Sequence, residues 1–339
     1  MYLLITIDTE EDDAWSGRQR IGTENVLYLP RFQSLCERFG YRPTWLTTEP
    51  VLSDPRFAES LGASVSAGNA EIGAHLHPWS CAPFPDGQLP DQSEQVYPHE
   101  LCEAEFRAKM ERIVGLIRER FGQPPVSYRA GRWGFVREHV PWLLELGIRI
   151  DCSVTPHMSW HRHIGKRGGK GGVDYRGAPR LPYWLDPADI LSPGRGEMLE
   201  LPLTVSFLRG PLGGAILRPW ADRFRYTPLG ALLHRVGWTA IPFRPWPGRS
   251  TEVLLGFLPE AKRARLPYLM LMFHSSELMP GGSPYNRDAD DVERMYVQLE
   301  TLFGKLRTHG VEGATLTQFA EPYFQRTAVA LGRFAAGLA

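Results

Sequence analysis

The stretch that decides the fold is Tyr-Leu-Leu-Ile-Thr-Ile-Asp-Thr-Glu, residues 2–10. Its first six residues form a short apolar run rich in strand formers, which predicts a strand buried on both faces. Acidic residues follow at once, with Asp8 and Glu10 first and Glu11 and Asp12 behind them. Carboxylates at the carboxyl end of a buried strand stand where α/β proteins place their catalytic groups.

The rest of the chain repeats this alternation of buried strands and amphipathic helices. The pattern favours a parallel sheet with crossover helices, in either barrel or open form. The expected strands are 2–7, 43–48, 71–74, 126–130, 148–154, 198–206, 267–273 and 313–316. The expected helices are 24–40, 55–67, 99–122, 136–146 and 289–308, and several of them end at a glycine.

Composition restricts the classes of function. The 339 residues are 43% hydrophobic, and 38 basic residues balance 38 acidic ones, so no global charge attracts nucleic acid or an anionic membrane. No apolar run approaches the roughly 20 residues that span a bilayer, and the start of the chain does not have the pattern of a secretory leader. Four scattered cysteines do not form a disulfide scaffold. We therefore expect a cytoplasmic protein without a transmembrane segment.

We expect a single catalytic domain over residues 1–339 with a Gly/Pro-rich insertion at about 157–265. Within it, residues 165–172 read Gly-Lys-Arg-Gly-Gly-Lys-Gly-Gly. They do not have the spacing of a phosphate-binding P-loop. Two interpretations remain: a flexible basic loop, or a lid that becomes ordered over an anionic substrate. His157, His161 and His163 could form a second metal cluster or simply lie in a loop near the groove.

Five polar clusters stand at the ends of predicted strands. Because the carboxyl ends of parallel strands meet on one face, these clusters are expected to share a site. They are Asp8-Thr9-Glu10, His75-Leu76-His77, Arg129 to Trp133, Asp151 and His274-Ser275-Ser276. One carboxylate with two imidazoles suits zinc or a similar divalent ion. A second carboxylate could accept a proton from water, a separate histidine could protonate a leaving nitrogen, and an arginine could hold the base ionised.

In the order of these clusters the chain resembles the polysaccharide deacetylases with a NodB-homology domain, carbohydrate esterase family four, and within them the WalW-type branch. The resemblance spans residues 8 to 275. It implies a distorted (β/α) barrel of about seven strands. It also implies a hydrolase that uses a divalent metal, zinc by preference, to remove an acetyl group from an N-acetylated amino sugar. The substrate would be a glycan or a glycan precursor, including a carrier-linked one.

The resemblance also implies roles for the clustered residues. Asp8 would be the general base and Glu10 the acidic metal ligand, with Glu11 and Asp12 as alternatives. The second motif of the family holds two histidines four residues apart, whereas this chain has His75 and His77. Side chains two apart on an extended backbone face the same side, so both imidazoles could reach one metal ion.

The remaining roles concern the base, the acid and the groove. Arg129 would position the base, and His274 would be the general acid, tuned by Asp151. Trp79 and Trp133 are expected to bind the sugar. Two alternatives stay open: a metal-independent amidase on the same fold, and a carbohydrate-binding protein that has no catalytic activity. The sequence does not predict an oligomeric state.

Overall fold

The computed structural model describes residues 1–12, 14, 21–84, 87, 95–207, 227 and 239–336. The strands are β1 (Tyr2–Thr9), β2 (Pro43–Thr47), β3 (Glu71–Leu76), β4 (Ser127–Ala130), β5 (Ile150–Asp151), β6 (Tyr183–Trp184), β7 (Leu199–Glu200), β8 (Val205–Ser206), β9 (Ile241–Pro242), β10 (Tyr268–His274) and β11 (Glu312–Gly313). The α-helices are α1 (Leu29–Arg38), α2 (Glu49–Ser53), α3 (Pro55–Ser66), α4 (Glu103–Phe121), α5 (His139–Glu145), α6 (Thr251–Leu255), α7 (Phe257–Arg263), α8 (Ala289–Thr308) and α9 (Leu316–Ala336).

The main sheet has the order β10-β1-β2-β3-β4-β5-β7-β6, and β11 pairs with the start of β1. Neighbouring strands from β10 to β7 are parallel, and only β6 runs antiparallel. Seven parallel strands in series, curled and covered by helices, confirm the distorted (β/α) barrel. Within the described residues, β10 and β6 do not pair with each other, so the ladder of this sheet does not close on itself.

The first strand shows how sequence alternation divides the core. Leu3, Ile5 and Ile7 belong to the large cluster that includes the surrounding helices. Leu4, on the opposite face, belongs to a second cluster with Met270 and Met272 of β10 and with residues of β7 and α9. Since side chains alternate along a strand, Thr6 and Asp8 lie on the same face as Leu4, which is the concave face of the barrel.

Helix α4 illustrates how the outer layer is built. Its buried positions, Phe106, Met110, Ile113 and Ile117, recur at helical spacing and pack on the sheet, as predicted. The helix ends at Gly122, whose φ of 78° is the left-handed conformation that glycine adopts without strain. No helix in the described part of the chain is both long and apolar enough to cross a bilayer.

The structure differs from the predicted elements mainly near the middle of the chain. The expected strand 198–206 is divided into β7 and β8, because Pro202 has no N–H to give to the ladder. The expected strand 148–154 is reduced to β5. Residues 157–265 supply β6 and β7 to the main sheet, while 208–226 and 228–238 of that region lie outside the described residues. The single-domain boundary stays a prediction.

Candidate active site

Main-chain pairing brings the polar strand ends together. Asp8 at the end of β1 is the register partner of His274 at the end of β10. His75 near the end of β3 is the register partner of Arg129 on β4. The four residues therefore lie side by side at the carboxyl end of the parallel strands, where the sequence predicted a shared site.

Asp8 and Arg129 form a buried ion pair at the centre of the site. Arg129 is 0% exposed, and its Nη1 donates to Oδ1 of Asp8 at 2.5 Å. Its other two nitrogens also donate, Nη2 to Oγ1 of Thr6 at 2.9 Å and Nε to the carbonyl of Cys152 at 3.1 Å. Burial acts to raise the pKa of Asp8, but the charge and hydrogen bond of Arg129, together with the neighbouring His75 and His274, outweigh burial and hold that pKa below its ordinary value.

Glu10, His75 and His77 converge on one point. Within the described part of the chain they are the one group of three His, Cys, Asp or Glu residues able to hold a metal ion, with ligand atoms all within 4.8 Å of one another. The two Nε2 atoms lie 3.1 Å apart, and Oε2 of Glu10 lies 3.3 Å from Nε2 of His77 and 4.0 Å from Nε2 of His75. His157, His161 and His163 form no such group there.

The outer nitrogens of the two imidazoles determine which tautomer each ring adopts. Nδ1 of His75 lies 2.8 Å from the carbonyl oxygen of Arg129, which can only accept a hydrogen bond. Nδ1 of His77 lies 3.1 Å from Oε1 of Glu11. Burial acts to raise the pKa of Glu11, but the contact with His77 lowers it to about 2, so that carboxylate is ionised and accepts. Both rings therefore carry their proton on Nδ1 and direct an Nε2 lone pair at the other ring.

Three acceptor atoms thus face one another. Burial lowers the pKa of His75 to about 3, so its ring is neutral. Burial and the charges of Glu11 and Asp8 raise the pKa of Glu10 well above its ordinary value. Facing lone pairs repel each other unless a cation or a proton lies between them, and two imidazole nitrogens with one carboxylate oxygen are the donors that zinc prefers. The residues present fit a divalent ion.

The structure separates the roles that the acidic run left open. Glu10 faces the histidine pair, whereas Glu11 supports it from behind by contacting Nδ1 of His77. Asp12 accepts hydrogen bonds from the backbone N–H groups of Glu24 and Asn25, at 2.8 and 2.9 Å, and so closes the loop after β1. Glu10 is the carboxylate in position to bind a metal ion.

His274 is held by a carboxylate that the sequence analysis did not assign. Oε1 of Glu277 lies 2.9 Å from Nδ1 of His274 and also accepts from Nη2 of Arg244 at 2.6 Å. Asp151, predicted to tune His274, contacts Ser153 instead: its Oδ1 accepts from Oγ of Ser153 at 2.8 Å and its Oδ2 from the backbone N–H at 2.9 Å. The spacing His-Ser-Ser-Glu, which closes a capping box, was the available signal for Glu277.

Asp151 has a second buried carboxylate beside it, Glu200, its register partner on β7. Both are 0% exposed, and burial raises the pKa of each. Ser153 in turn accepts a hydrogen bond from the backbone N–H of Ala130 at 2.8 Å. Through Ser153, Asp151 supports the end of β4 immediately after Arg129.

The two predicted sugar-binding tryptophans differ in exposure. Trp79 is 3% exposed, stacks on His77 at 4.2 Å and donates its indole N–H to Glu11 at 3.0 Å. Trp133 is half-buried, and its ring lies nearly parallel to that of Trp160 at 6.1 Å. The observed contacts of Trp79 thus support a metal-site histidine, and its role in sugar binding stays a prediction.

The backbone that carries Trp133 is unusual. Arg132 and Trp133 have φ angles of 52° and 64°, values that residues other than glycine seldom adopt. Gly131 precedes them, and a Cβ there would lie 2.2 Å from the carbonyl oxygen of Leu76. The glycine lets the end of β4 approach the segment that bears His77.

The glycine-rich loop 165–172 packs against the protein itself. A Cβ at Gly165 or Gly169 would lie 2.0 or 2.1 Å from a carboxylate oxygen of Glu100, so a larger residue at either position would require the Glu100 side chain to move. The N–H of Lys166 donates to Oε2 of Glu100 at 3.0 Å, and Nε2 of His99 contacts the carbonyl of Gly171 at 3.2 Å. These contacts anchor the loop beside residues 97–100; closure over a substrate stays a prediction.

No family model matches the chain, and no curated protein matches its sequence. Among solved structures, a candidate glycoside hydrolase/deacetylase from Parabacteroides distasonis is similar over 96% of this chain and 71% of its own, with a TM-score of 0.58 and 14% identity. The branching enzyme of glycoside hydrolase family 57 from Thermococcus kodakaraensis is similar over 95% and 71%, with a TM-score of 0.50 and 12% identity.

A candidate polysaccharide deacetylase from Mycobacterium smegmatis is similar over 93% of both chains, with a TM-score of 0.45 and 17% identity. At 12% and 14% identity, the two structures with TM-scores of 0.50 and 0.58 establish a shared fold. That fold carries more than one carbohydrate chemistry among the structures it matches, so the function has to be argued from the site. The chain is similar in fold to carbohydrate-active proteins with an incomplete (β/α) barrel.

Proposed function

We propose that this protein is a metal-dependent hydrolase that removes the acetyl group from an N-acetylated amino sugar. The observation that carries the proposal is the convergence of three acceptor atoms, Oε2 of Glu10 and Nε2 of His75 and His77. Each histidine is fixed in the ligand tautomer by an acceptor on its Nδ1, which is how metal-binding histidines are normally supported.

The residues around this cluster supply the remaining chemistry of amide hydrolysis. A divalent ion held there would polarise the amide carbonyl and acidify a water molecule. Asp8, which Arg129 keeps ionised, would accept the water proton as oxygen attacks the carbonyl carbon. When the C–N bond breaks, the imidazolium form of His274, protonated on both ring nitrogens, would give its Nε2 proton to the leaving nitrogen and keep the Nδ1 proton, yielding acetate and the free amine.

The geometry separates this chemistry from glycoside hydrolysis. A glycosidase needs two carboxyl groups that flank the glycosidic bond, one of them protonated and free to donate. Here Asp8 is bound to Arg129, and Glu10 is directed at two imidazoles. The arrangement of a base (Asp8), a metal-ligand cluster and a histidine acid (His274) supports amide cleavage better than cleavage of a glycosidic bond.

Two observations support a sugar substrate. The nearly parallel rings of Trp133 and Trp160 stand beside Arg129, whose Cζ lies 5.1 Å from the Trp133 ring. Aromatic faces of this kind pack well on the apolar face of a pyranose. The similar structure from Parabacteroides distasonis, a candidate glycoside hydrolase/deacetylase, is in line with such a substrate.

The raised pKa of Glu10 favours one alternative, a metal-independent amidase. Without a cation, burial and neighbouring carboxylates would keep Glu10 protonated, and it could then donate to Nε2 of His77. Asp8 would remain ionised in the same pocket. Two carboxyl groups with pKa values pushed apart are a general acid and base.

Metal content distinguishes these functions. The dialysed protein, the variant His75→Ala and a control variant at a buried histidine outside the cluster, His139→Phe, would be compared by plasma mass spectrometry. We expect about one zinc or similar ion per chain in the wild type and in the control, and none in His75→Ala. Acetate release would then be measured on N-acetylglucosamine oligomers and on diphosphate-linked N-acetylglucosamine. A wild-type protein that binds no divalent ion yet releases acetate would overturn the metal-dependent mechanism.

A further inference from the structure

One oxygen atom of Glu277 receives three hydrogen bonds at the edge of the site. Oε1 accepts from Nδ1 of His274 at 2.9 Å, from the backbone N–H of His274 at 2.9 Å and from Nη2 of Arg244 at 2.6 Å. The carboxylate is 1% exposed, and the carbonyl of Glu277 is fixed by Nδ2 of Asn286 at 2.7 Å. The orientation of the Glu277 side chain is therefore determined by several hydrogen bonds, and its backbone is held as well.

We propose that Glu277, clamped by Arg244, is the positioning residue of His274: it fixes the ring with Nδ1 protonated so that Nε2 faces the substrate. The proposal rests on the proposed function in one respect, the role of His274 as general acid. It assigns to Glu277 the task for which the sequence indicated Asp151.

The charge balance around Glu277 supports this assignment. Burial acts to raise the pKa of Glu277, but the charge of Arg244 and the contacts with His274 together outweigh burial and keep that pKa below its ordinary value. An ionised carboxylate can only accept, so the hydrogen between it and the ring belongs to Nδ1 of His274. The arginine also prevents Glu277 from taking that proton, because protonating the carboxylate would leave a buried guanidinium unpaired.

Arg244 is itself held rigidly. It is 5% exposed, and its Cζ lies 4.5 Å from the ring of Trp246 and 4.7 Å from the ring of Tyr285. Trp246 follows β9, and Tyr285 lies in the loop before α8. The guanidinium is therefore held by aromatic rings from two separate segments of the chain. Residues of the region 157–265 thus reach the catalytic histidine through Arg244.

Exposure distinguishes His274 from its neighbours. Its side chain is 15% exposed, whereas those of Asp8, Glu10, His75 and His77 are between 2% and 5% exposed. With Nδ1 bound to Glu277, the edge of the ring that carries Nε2 is the one assigned to the substrate. In this arrangement Nε2 of His274 would face the leaving nitrogen of the substrate.

The first test is a double-mutant cycle. Glu277→Gln replaces the carboxylate with a neutral amide of the same shape, whose oxygen is a weaker acceptor and whose NH2 group can turn toward Nδ1 and favour the other tautomer. We expect kcat for acetate release to fall about 10- to 100-fold with KM and metal content unchanged, as for other residues that orient a catalytic imidazole. In a His274→Ala background the same change should have no further effect on kcat, because its target is gone. Equal losses in both backgrounds would overturn the proposal.

A matched control removes a glutamate–arginine pair elsewhere. Glu260 accepts from Nη2 of Arg180 at 2.8 Å. Glu260→Gln is expected to leave kcat and KM at the wild-type values. This control variant shows whether the loss of a glutamate–arginine ion pair by itself lowers activity.

The second test does not depend on activity. Nitrogen-15 spectra of the histidine rings, with the His274 signals identified from a His274→Asn sample, report which ring nitrogen carries the proton. We expect Nδ1 of His274 to be protonated in the wild type and in Glu260→Gln, and the tautomer to shift or become mixed in Glu277→Gln. A bare Nδ1 in the wild type would overturn the proposal. The expected tautomer in a protein that releases no acetate would instead count against the proposed function alone.

Discussion

Asp8 on β1 and His274 on β10 are register partners on adjacent parallel strands. The proposed base and the proposed acid are therefore placed by main-chain hydrogen bonds of the sheet. Strand ends are more precise supports than loops, because the ladder fixes their separation. The site should consequently tolerate changes in the outer loops better than changes in the residues that touch these two strands.

The ion pair of Asp8 and Arg129 gives the first prediction. Arg129→Met would leave a buried carboxylate without a partner, so we expect a loss of about 3–5 kcal/mol in the free energy of unfolding. We also expect kcat to fall by at least about 100-fold, because the pKa of Asp8 would rise and less base would be ionised. Urea denaturation and acetate release measure the two effects.

Arg112→Met is the matched control for that change. Arg112 pairs with Glu49, but it is 45% exposed. An exposed pair contributes about 0–1 kcal/mol. Similar losses of stability in the two variants would contradict a special role of the buried pair.

The convergence of Glu10, His75 and His77 predicts a stabilising effect of metal binding. A chelator should lower the melting temperature, and zinc should restore it, since a ligand present at 100 times its Kd stabilises the folded state by about 2.7 kcal/mol. His77→Ala should abolish the difference between the two conditions. Differential scanning calorimetry is the measurement. A melting temperature that changes with neither chelator nor zinc would show that no metal ion binds at this cluster.

Glu11 should set metal affinity without binding the metal ion. Glu11→Gln would weaken the acceptor on Nδ1 of His77, and we expect zinc affinity to fall about 10- to 100-fold. Asp12→Asn is the control, because Asp12 caps the backbone at Glu24 and Asn25 and should affect stability only. Competition titration with a zinc chelator gives both affinities. Equal affinities in the two variants would show that Glu11 does not support the site.

His139 predicts a pH-dependent stability unrelated to catalysis. It is buried and stacked on Phe106 at 4.2 Å, and burial lowers its pKa from 6.5 to about 3. The unfolded chain takes up a proton near pH 6.5, whereas the folded chain does so only near pH 3. Stability is therefore complete above pH 6.5 and is lost as the pH falls between these values.

At pH 5 this histidine should cost about 2 kcal/mol relative to neutral pH. His139→Phe should remove that part of the slope between pH 7 and pH 5, with the rest of the acid dependence retained. Urea denaturation across this range is the measurement. Identical slopes for the two proteins would show that His139 ionises equally in both states.

Trp133 predicts a change in substrate binding. Trp133→Ala should raise KM for an N-acetylated oligosaccharide about 10-fold with kcat nearly unchanged, because a sugar platform binds the ground state and the transition state alike. Trp133→Phe keeps an aromatic face, so its KM should lie between those of the wild type and Trp133→Ala. A fall in kcat at constant KM would instead indicate that Trp133 acts through Arg129.

Alternation and polar strand ends were enough to predict a parallel sheet with crossover helices and the shared face of Asp8, His75, Arg129 and His274, whereas the barrel form was implied by the family resemblance. They are local signals, because the period of two in β1 and the position of a side chain after a buried run can be read without knowing any partner. The same period favours Glu10 over Glu11, since Glu10 lies on the face of Asp8. The roles of Glu11 and Asp12 could not be separated in this way, because each depends on a segment distant in the chain.

What the sequence by itself determined is therefore the order of strands and helices and the residue types at their carboxyl ends. Only the tertiary structure decided which carboxylate supports each histidine. Glu277 meets His274 because a turn after β10 folds back on the strand, and Arg244 reaches Glu277 from beyond β9. Glu11 meets His77 across two strands. The contacts of Glu11 and Arg244 follow from how the sheet curls and how loops pack over its edge, and these long-range packing relations leave no pattern in neighbouring residues. The contact of Glu277 with His274 is local, and its His-Ser-Ser-Glu spacing can be read in the sequence.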